Sequence, residues 1–165
     1  MKSSLMINVK REEVEMDTLI VYISMTGTTE MLAYQIGEGL TRLGERVVVK
    51  DAFMTEAEEL LSYDRILIGS YTWGDGELPD EALDFFDEVK ELDLAGKSGA
   101  VFGMGDSTYR YFARAVDIWE AALVEQGCTL PVRALKIDRD LDTGMEARCL
   151  KFCRFLKETV PILAN

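Results

Sequence analysis

The residues most suited to chemistry begin with YISMTGTTE, Tyr22 to Glu30. Ser24, Thr26, Thr28 and Thr29 surround Gly27 directly after the apolar run TLIVYI, with no lysine or arginine among them. Hydroxyls and a glycine between a strand and a helix suit an anion, because the first N–H groups of a helix lack partners and the helix dipole adds partial positive charge there. Gly27 permits close approach or a positive φ. The stretch reads as a neutral phosphate nest. A Walker A loop would need Gly-Lys-Ser/Thr and a dinucleotide fingerprint three spaced glycines, and neither is present. A threonine-rich helix cap explains one or two of the hydroxyls, not four.

Two further stretches share this character. SYTWGDGELPDE places Trp73 beside Thr72, Gly74 and Asp75, where a tryptophan outside the core offers a flat apolar wall to a planar ligand. Gly74 and Gly76 leave the neighbouring peptides free to reorient. GMGDSTYRYF carries Tyr109, Tyr111 and Phe112 after a glycine-flanked turn. Either Tyr111 or Phe112 is expected in the core at the helix start, which leaves Tyr109 as the second wall. A phosphate nest with two aromatic walls describes a nucleotide with a flat ring and a single phosphate.

Something must bring these stretches together. Five β-type runs, TLIVYIS (18–24), ERVVVKD (45–51), RILIGS (65–70), GAVFGMG (99–105) and LPVRALKI (130–137), alternate with helical patterns. The middle three show little polar alternation, which suits strands covered on both faces. The first helix is expected over 28–43, with Leu32, Ile36, Leu40 and Leu43 on one stripe and Gly44 as its stop. A second begins at TEAEELL, where Thr55 and Glu58 have capping-box spacing. A third follows Pro79 with Leu83, Phe86 and Val89 inward; a fourth carries Phe112, Val116, Trp119 and Leu123. The last carries Met145, Cys149, Phe152, Cys153 and Leu156 and ends before Pro161. This alternation predicts a doubly wound α/β fold with a five-stranded parallel sheet and helices on both faces. In such sheets a ligand sits beyond the carboxyl ends of the strands where strand order reverses, and the three unusual loops follow the first, third and fourth strands.

Composition narrows the function. The chain has 165 residues, no histidine and a formal net charge of −12. Its acidity is unsuited to nucleic acid and suits a basic-faced protein partner. Hydrolytic triads and histidine-based metal catalysis drop out, and Cys128, Cys149 and Cys153 form no disulfide framework. The longest apolar runs are too short for a membrane span. Residues 1–16, in which Lys2, Lys10 and Arg11 balance Glu12, Glu13 and Glu15, show no secretory signal and are expected to be a disordered extension of a cytoplasmic domain over 17–165.

Together the S/T-x-T-G-x-T loop (Ser24 to Thr29), the TWGD loop (Thr72 to Asp75) and the GxGDSxYxxF loop (Gly103 to Phe112) make the chain resemble a flavodoxin. The resemblance covers 17–160, and the short passage from fifth strand to last helix is similar to the short-chain, bacterial subgroup. It implies the strand order 2-1-3-4-5, non-covalent FMN as cofactor, no metal and a monomer. FMN phosphate would be held by Ser24, Met25, Thr26, Gly27, Thr28 and Thr29. Thr72, Trp73, Gly74 and Asp75 would line the inner face and edge of the isoalloxazine, with Tyr109 on its outer face, Gly105 and Asp106 at its pyrimidine end and Phe112 completing the set. Arg110 departs from the acidic or neutral residue common at that place.

The function so implied is a low-potential one-electron carrier cycling between semiquinone and hydroquinone, without substrate turnover of its own. Its partners would be basic-faced redox proteins, such as a ferredoxin/flavodoxin-NADP reductase as donor and an oxidoreductase as acceptor. A turned Gly74 peptide accepting from flavin N5–H would stabilise the semiquinone; a bond worth about 1 kcal/mol moves a one-electron couple by roughly 40 mV. Asp75, Glu77, Asp80, Glu81, Asp84 and Asp87, with Asp138, Asp140 and Asp142, would lower the second couple by roughly 20 to 70 mV per charge at about 10 Å, while the distal Glu88 and Glu91 read as a solvated helix face. The alternatives are an FMN-dependent NAD(P)H:quinone-type reductase or a flavoprotein activator of a single enzyme. A phosphoacceptor receiver domain would need paired acids after the first strand, and YISMTG has none.

Overall fold

A computed structural model describes residues 16–73, 76–108, 110–138 and 143–159. Most of the proposed extension, Gly74, Asp75, Tyr109, Asp140 and Asp142 lie outside the described residues.

The strands are β1 (Asp17–Ile23), β2 (Arg46–Asp51), β3 (Arg65–Ser70), β4 (Ser98–Gly105) and β5 (Leu135–Asp138). They form one parallel sheet in the order β2-β1-β3-β4-β5, as expected. The helices are α1 (Thr28–Arg42), α2 (Leu83–Val89), α3 (Arg114–Glu125) and α4 (Met145–Glu158), with 3-10 turns at Ala52–Met54, Ala57–Ser62 and Asp80–Ala82.

Side-chain alternation along each strand divides the core in two. Leu19, Val21, Ile66, Ile68 and Val101 face Phe85, Val116 and Trp119. On the other face, Ile20, Leu67 and Phe102 meet Leu32, Ile36 and Leu40 of α1 and Phe152 and Leu156 of α4. Each of these fully buried aliphatic side chains contributes about 1.5–3 kcal/mol. β3 is buried throughout, whereas β2 is only partly covered because it ends the sheet.

Several local expectations are corrected. β5 begins at Leu135, and the residues from Leu130 to Ala134 lead into it without joining the ladder. Leu43 is the C-cap of α1 and is exposed. Leu83 is also exposed, and Phe85 takes the inward place, with Phe86 edge-on to Trp119. The second helix is a 3-10 turn whose capping box joins Glu56 and Glu59: Glu56 N–H donates to the Glu59 carboxylate at 2.7 Å. Thr55 instead donates its hydroxyl to Asp51 O at 2.8 Å, which closes the preceding turn.

At the amino-terminal pole of the sheet, Arg65 is fully buried. It donates to Glu45 and, at 2.9 Å, to Leu156 O, and it approaches Met16 Sδ at 3.7 Å. Met16, grouped with the extension in the sequence, is therefore a buried part of the domain. Charge pairing and backbone acceptance together offset the desolvation of this guanidinium.

Candidate functional site

The loops after β1, β3 and β4 meet at the carboxyl ends of their strands and enclose a cleft of about 210 Å³. β1 lies between β2 and β3, so the chain leaves it in one direction to reach β2 and crosses back to reach β3. The cleft is at that reversal, where neither neighbouring connection covers the strand ends.

From the first loop, Met25, Thr26, Thr28 and Thr29 line the cleft. Gly27 is the N-cap of α1 with φ 91°, and as a glycine it supplies no capping side chain. Ser24 is turned to a different task than direct lining: its Oγ accepts the Gly27 N–H at 3.1 Å and fixes the loop. Thr26 and Thr28 hydroxyls lie 3.3 Å apart. Thr29 is 1 % exposed, and its Oγ1 has no hydrogen-bond partner among the described residues. A buried hydroxyl left unpaired is costly, so its presence beside a helix start with a glycine N-cap fits an anion bound there. Glu30, the acid of that first turn, accepts from Tyr22 Oη at 2.9 Å. Burial, then this carboxylate, raise the Tyr22 phenol above its ordinary value.

The second loop contributes Thr72 and Trp73, the latter 46 % exposed. Trp73 N–H donates to Glu77 O and Glu77 N–H donates to Trp73 O, both at 2.8 Å, so these two residues pair across the loop. Gly76 has φ 100° within it, and a Cβ there would lie 2.6 Å from Tyr111 Cβ. A side chain at position 76 is thus excluded, and Gly76 N–H donates to Trp73 O at 3.1 Å. Tyr71, which also lines the cleft, donates its phenol to Glu81; burial, then that carboxylate, raise its pKa.

From the third loop come Gly105 and Asp106. A Cβ on Gly105 would lie 2.8 Å from Ala113 N, so only glycine allows this approach of strand end and helix start. Thr108 donates to Asp106 Oδ1 from both N–H (2.9 Å) and Oγ1 (2.6 Å), which shapes the turn. Tyr111 lines the cleft, with the Arg110 and Arg114 guanidinium carbons 5.3 and 5.0 Å from its ring centroid. Phe112, nominated for the cofactor set, packs instead against the core cluster of Trp119. The two adjacent aromatics divide the core and cleft roles, and Ala113, at φ 50°, then turns the chain into α3.

Sequence reasoning thus placed Met25, Thr26, Thr28, Thr29, Thr72, Trp73, Gly105 and Asp106 on one cleft and omitted Tyr71, Met104, Tyr111 and Ala113. Position at a strand's carboxyl end was the available signal for Tyr71 and Met104. Among the described residues no cluster of three or more His, Cys, Asp or Glu is placed to hold a metal, and no helix is long and apolar enough to cross a membrane.

Comparison with known proteins agrees with this geometry. The family profile described as Flavodoxin matches residues 20–152. Probable flavodoxin 2 of Bacillus subtilis is 39 % identical over 137 residues, covering 82 % of this chain and 91 % of that protein. Probable flavodoxin 1 of the same organism is 41 % identical over 137 residues, covering 82 % and 87 %. The crystal structure of oxidised Flavodoxin 2 from Bacillus cereus superposes with a TM-score of 0.82 at 46 % identity, covering 86 % of this chain and 98 % of that one. With three loops meeting at the strand-order reversal and a family profile spanning most of the domain, the chain belongs to the flavodoxin family.

Proposed function

We propose that the protein is a one-electron carrier that binds FMN in this cleft and passes electrons between redox proteins without turning over a substrate of its own. The observation that carries the reading is Thr29, whose buried hydroxyl has no hydrogen-bond partner among the described residues and borders the same cleft as the half-exposed indole of Trp73. A polar atom that needs a partner and an apolar plane that needs a cover meet the two ends of one ligand. When bound, FMN supplies one-electron chemistry across its three oxidation states.

The chain's own residues bind, orient and set charge. The Thr26, Thr28 and Thr29 hydroxyls and the first N–H groups of α1 would hold the phosphate without a cation. Trp73 would cover a ring face, with Tyr111 at the cleft as a further aromatic and Asp106 at its edge. Tyr109, Gly74 and Asp75 retain their proposed roles on the ring. Exposed Glu77, Asp80 and Asp84 follow the Trp73 loop, raise the energy of added negative charge in the cleft and favour transfer from a low potential. The same acids would steer a basic partner, such as an NADP-linked reductase, toward the open edge at rates that fall with salt.

The test is stepwise anaerobic reduction of the purified protein reconstituted with FMN. Tight, stoichiometric binding, with two separated one-electron steps, is the expected result. Failure to bind FMN in excess, or steady NADPH oxidation by the pure protein without a reductase, would overturn the reading.

A further inference from the structure

A second cavity, larger than the cofactor cleft, lies elsewhere among the described residues. A groove of about 710 Å³ runs between the approach to β5 and helix α4, and it shares no lining residue with the cofactor cleft. One wall is the continuous segment Pro131 to Leu135; the other is a stripe of α4, with Arg148, Lys151 and Phe155 at helical spacing, extended by the C-cap Thr159. That stripe is roughly 16 Å long, enough for about five residues of extended chain.

The floor and rim differ in chemistry. Val132, Leu135, Phe152 and Phe155 supply apolar surface, and Phe155 is 46 % exposed. Among the described lining residues, Arg133, Arg148 and Lys151 are exposed cations and Glu158 is the acid. This inverts the sign of a chain whose formal net charge is −12. α4 carries the inversion along its length, with Arg148, Lys151, Arg154 and Lys157 against Glu146 and Glu158. Lys151 Nζ lies 5.6 Å from the Phe155 ring centroid, so a cation and an apolar wall occupy the same spot. A ligand complementary to that spot has a carboxylate beside an apolar side chain. β5 ends the sheet, and its first residue, Leu135, lines the groove.

We propose that the groove between β5 and α4 is a docking site for an acidic, amphipathic peptide segment of a protein partner. A concave slot of this length favours a peptide over a flat lipid surface, and the alternation of cation and aromatic ring selects acid next to apolar residue. Because groove and cleft have no residue in common, a partner seated here would leave the cleft open, and the proposal stands apart from the electron-carrier reading.

The experiment titrates the full-length protein with a fluorescein-labelled synthetic peptide in which glutamate alternates with leucine and phenylalanine. A control peptide carries lysine in place of every glutamate. Saturable anisotropy with the acidic peptide alone is expected, with amide NMR shifts confined to 131–135 and 148–159. Arg133→Glu combined with Lys151→Glu should raise Kd about tenfold or more, while Arg133→Lys with Lys151→Arg preserves binding. Unchanged far-UV circular dichroism checks the fold of each variant. The proposal is overturned if neither peptide binds, if the double reversal leaves Kd unchanged, or if phosphatidylserine vesicles bind where the peptide does not. Sedimentation showing that this face joins two copies of the chain would overturn it as well.

Discussion

The Thr72 side chain caps a helix that is distant in sequence: its Oγ1 accepts the Ala115 N–H at 3.0 Å. Ala115 is the second residue of α3, and Ala113, the N-cap, offers no side-chain acceptor. The loop after β3 therefore completes the helix that follows β4, and two walls of the cleft are joined by one hydrogen bond. Thr72→Ala should cost about 1 kcal/mol in urea unfolding, the ordinary value of a lost cap, and should also weaken FMN binding. Thr72→Ser should retain both. A stability loss with FMN affinity intact would show that the cap does not shape the cleft.

Thr29→Val separates phosphate binding from folding. The substitution keeps the side chain's shape and removes a hydroxyl that has no partner among the described residues, so stability without ligand should stay equal or rise. FMN affinity should fall by about 1.5–3 kcal/mol, roughly 10- to 100-fold, because a bond to a charged acceptor is lost. Riboflavin, which lacks the phosphate, should bind both proteins equally. Fluorescence-quenching titrations with the two flavins give the comparison.

Gly76→Ala tests the close approach of Gly76 to Tyr111. The residue sits at φ 100°, and the added methyl would meet Tyr111 Cβ at 2.6 Å and Arg114 Cδ at 2.8 Å. The backbone conformation alone costs about 1–2 kcal/mol, and displacement of Tyr111 adds to it. A lower unfolding midpoint together with reduced FMN affinity is expected, measured by urea denaturation and flavin titration.

Alkaline pH should destabilise the fold through two phenols. Burial raises the pKa of Tyr22 and Tyr71 above the unfolded value of 10.0, and their hydrogen bonds to Glu30 and Glu81 add to the shift. Their contribution is fully present below pH 10 and is lost as pH rises toward the folded-state values, because the unfolded chain releases the protons first. The slope approaches about 1.4 kcal/mol per pH unit for each phenol. Urea midpoints measured at pH 9 and 11 should show the decline, and Tyr22→Phe with Tyr71→Phe should flatten it.

What the sequence determined by itself was the part of the molecule built from local pattern. Apolar runs separated by helical stripes were enough for a parallel α/β sheet, because parallel neighbours require crossovers of that length. The Ser24 to Thr29 loop was legible because its chemistry is contained in consecutive residues. Tertiary structure alone decided which of two adjacent aromatics faces the core, placing Phe112 against the core cluster and Tyr111 on the cleft, since that depends on how the loop packs on distant elements. It also decided that Leu83 is exposed, that β2 is half-covered and that Arg65 is buried with Glu45. The Thr72 cap on α3 and the basic groove beside β5 join residues whose separation along the chain hides their contact. Periodicity reports the environment of one element; pairing between elements depends on the packing of the whole chain.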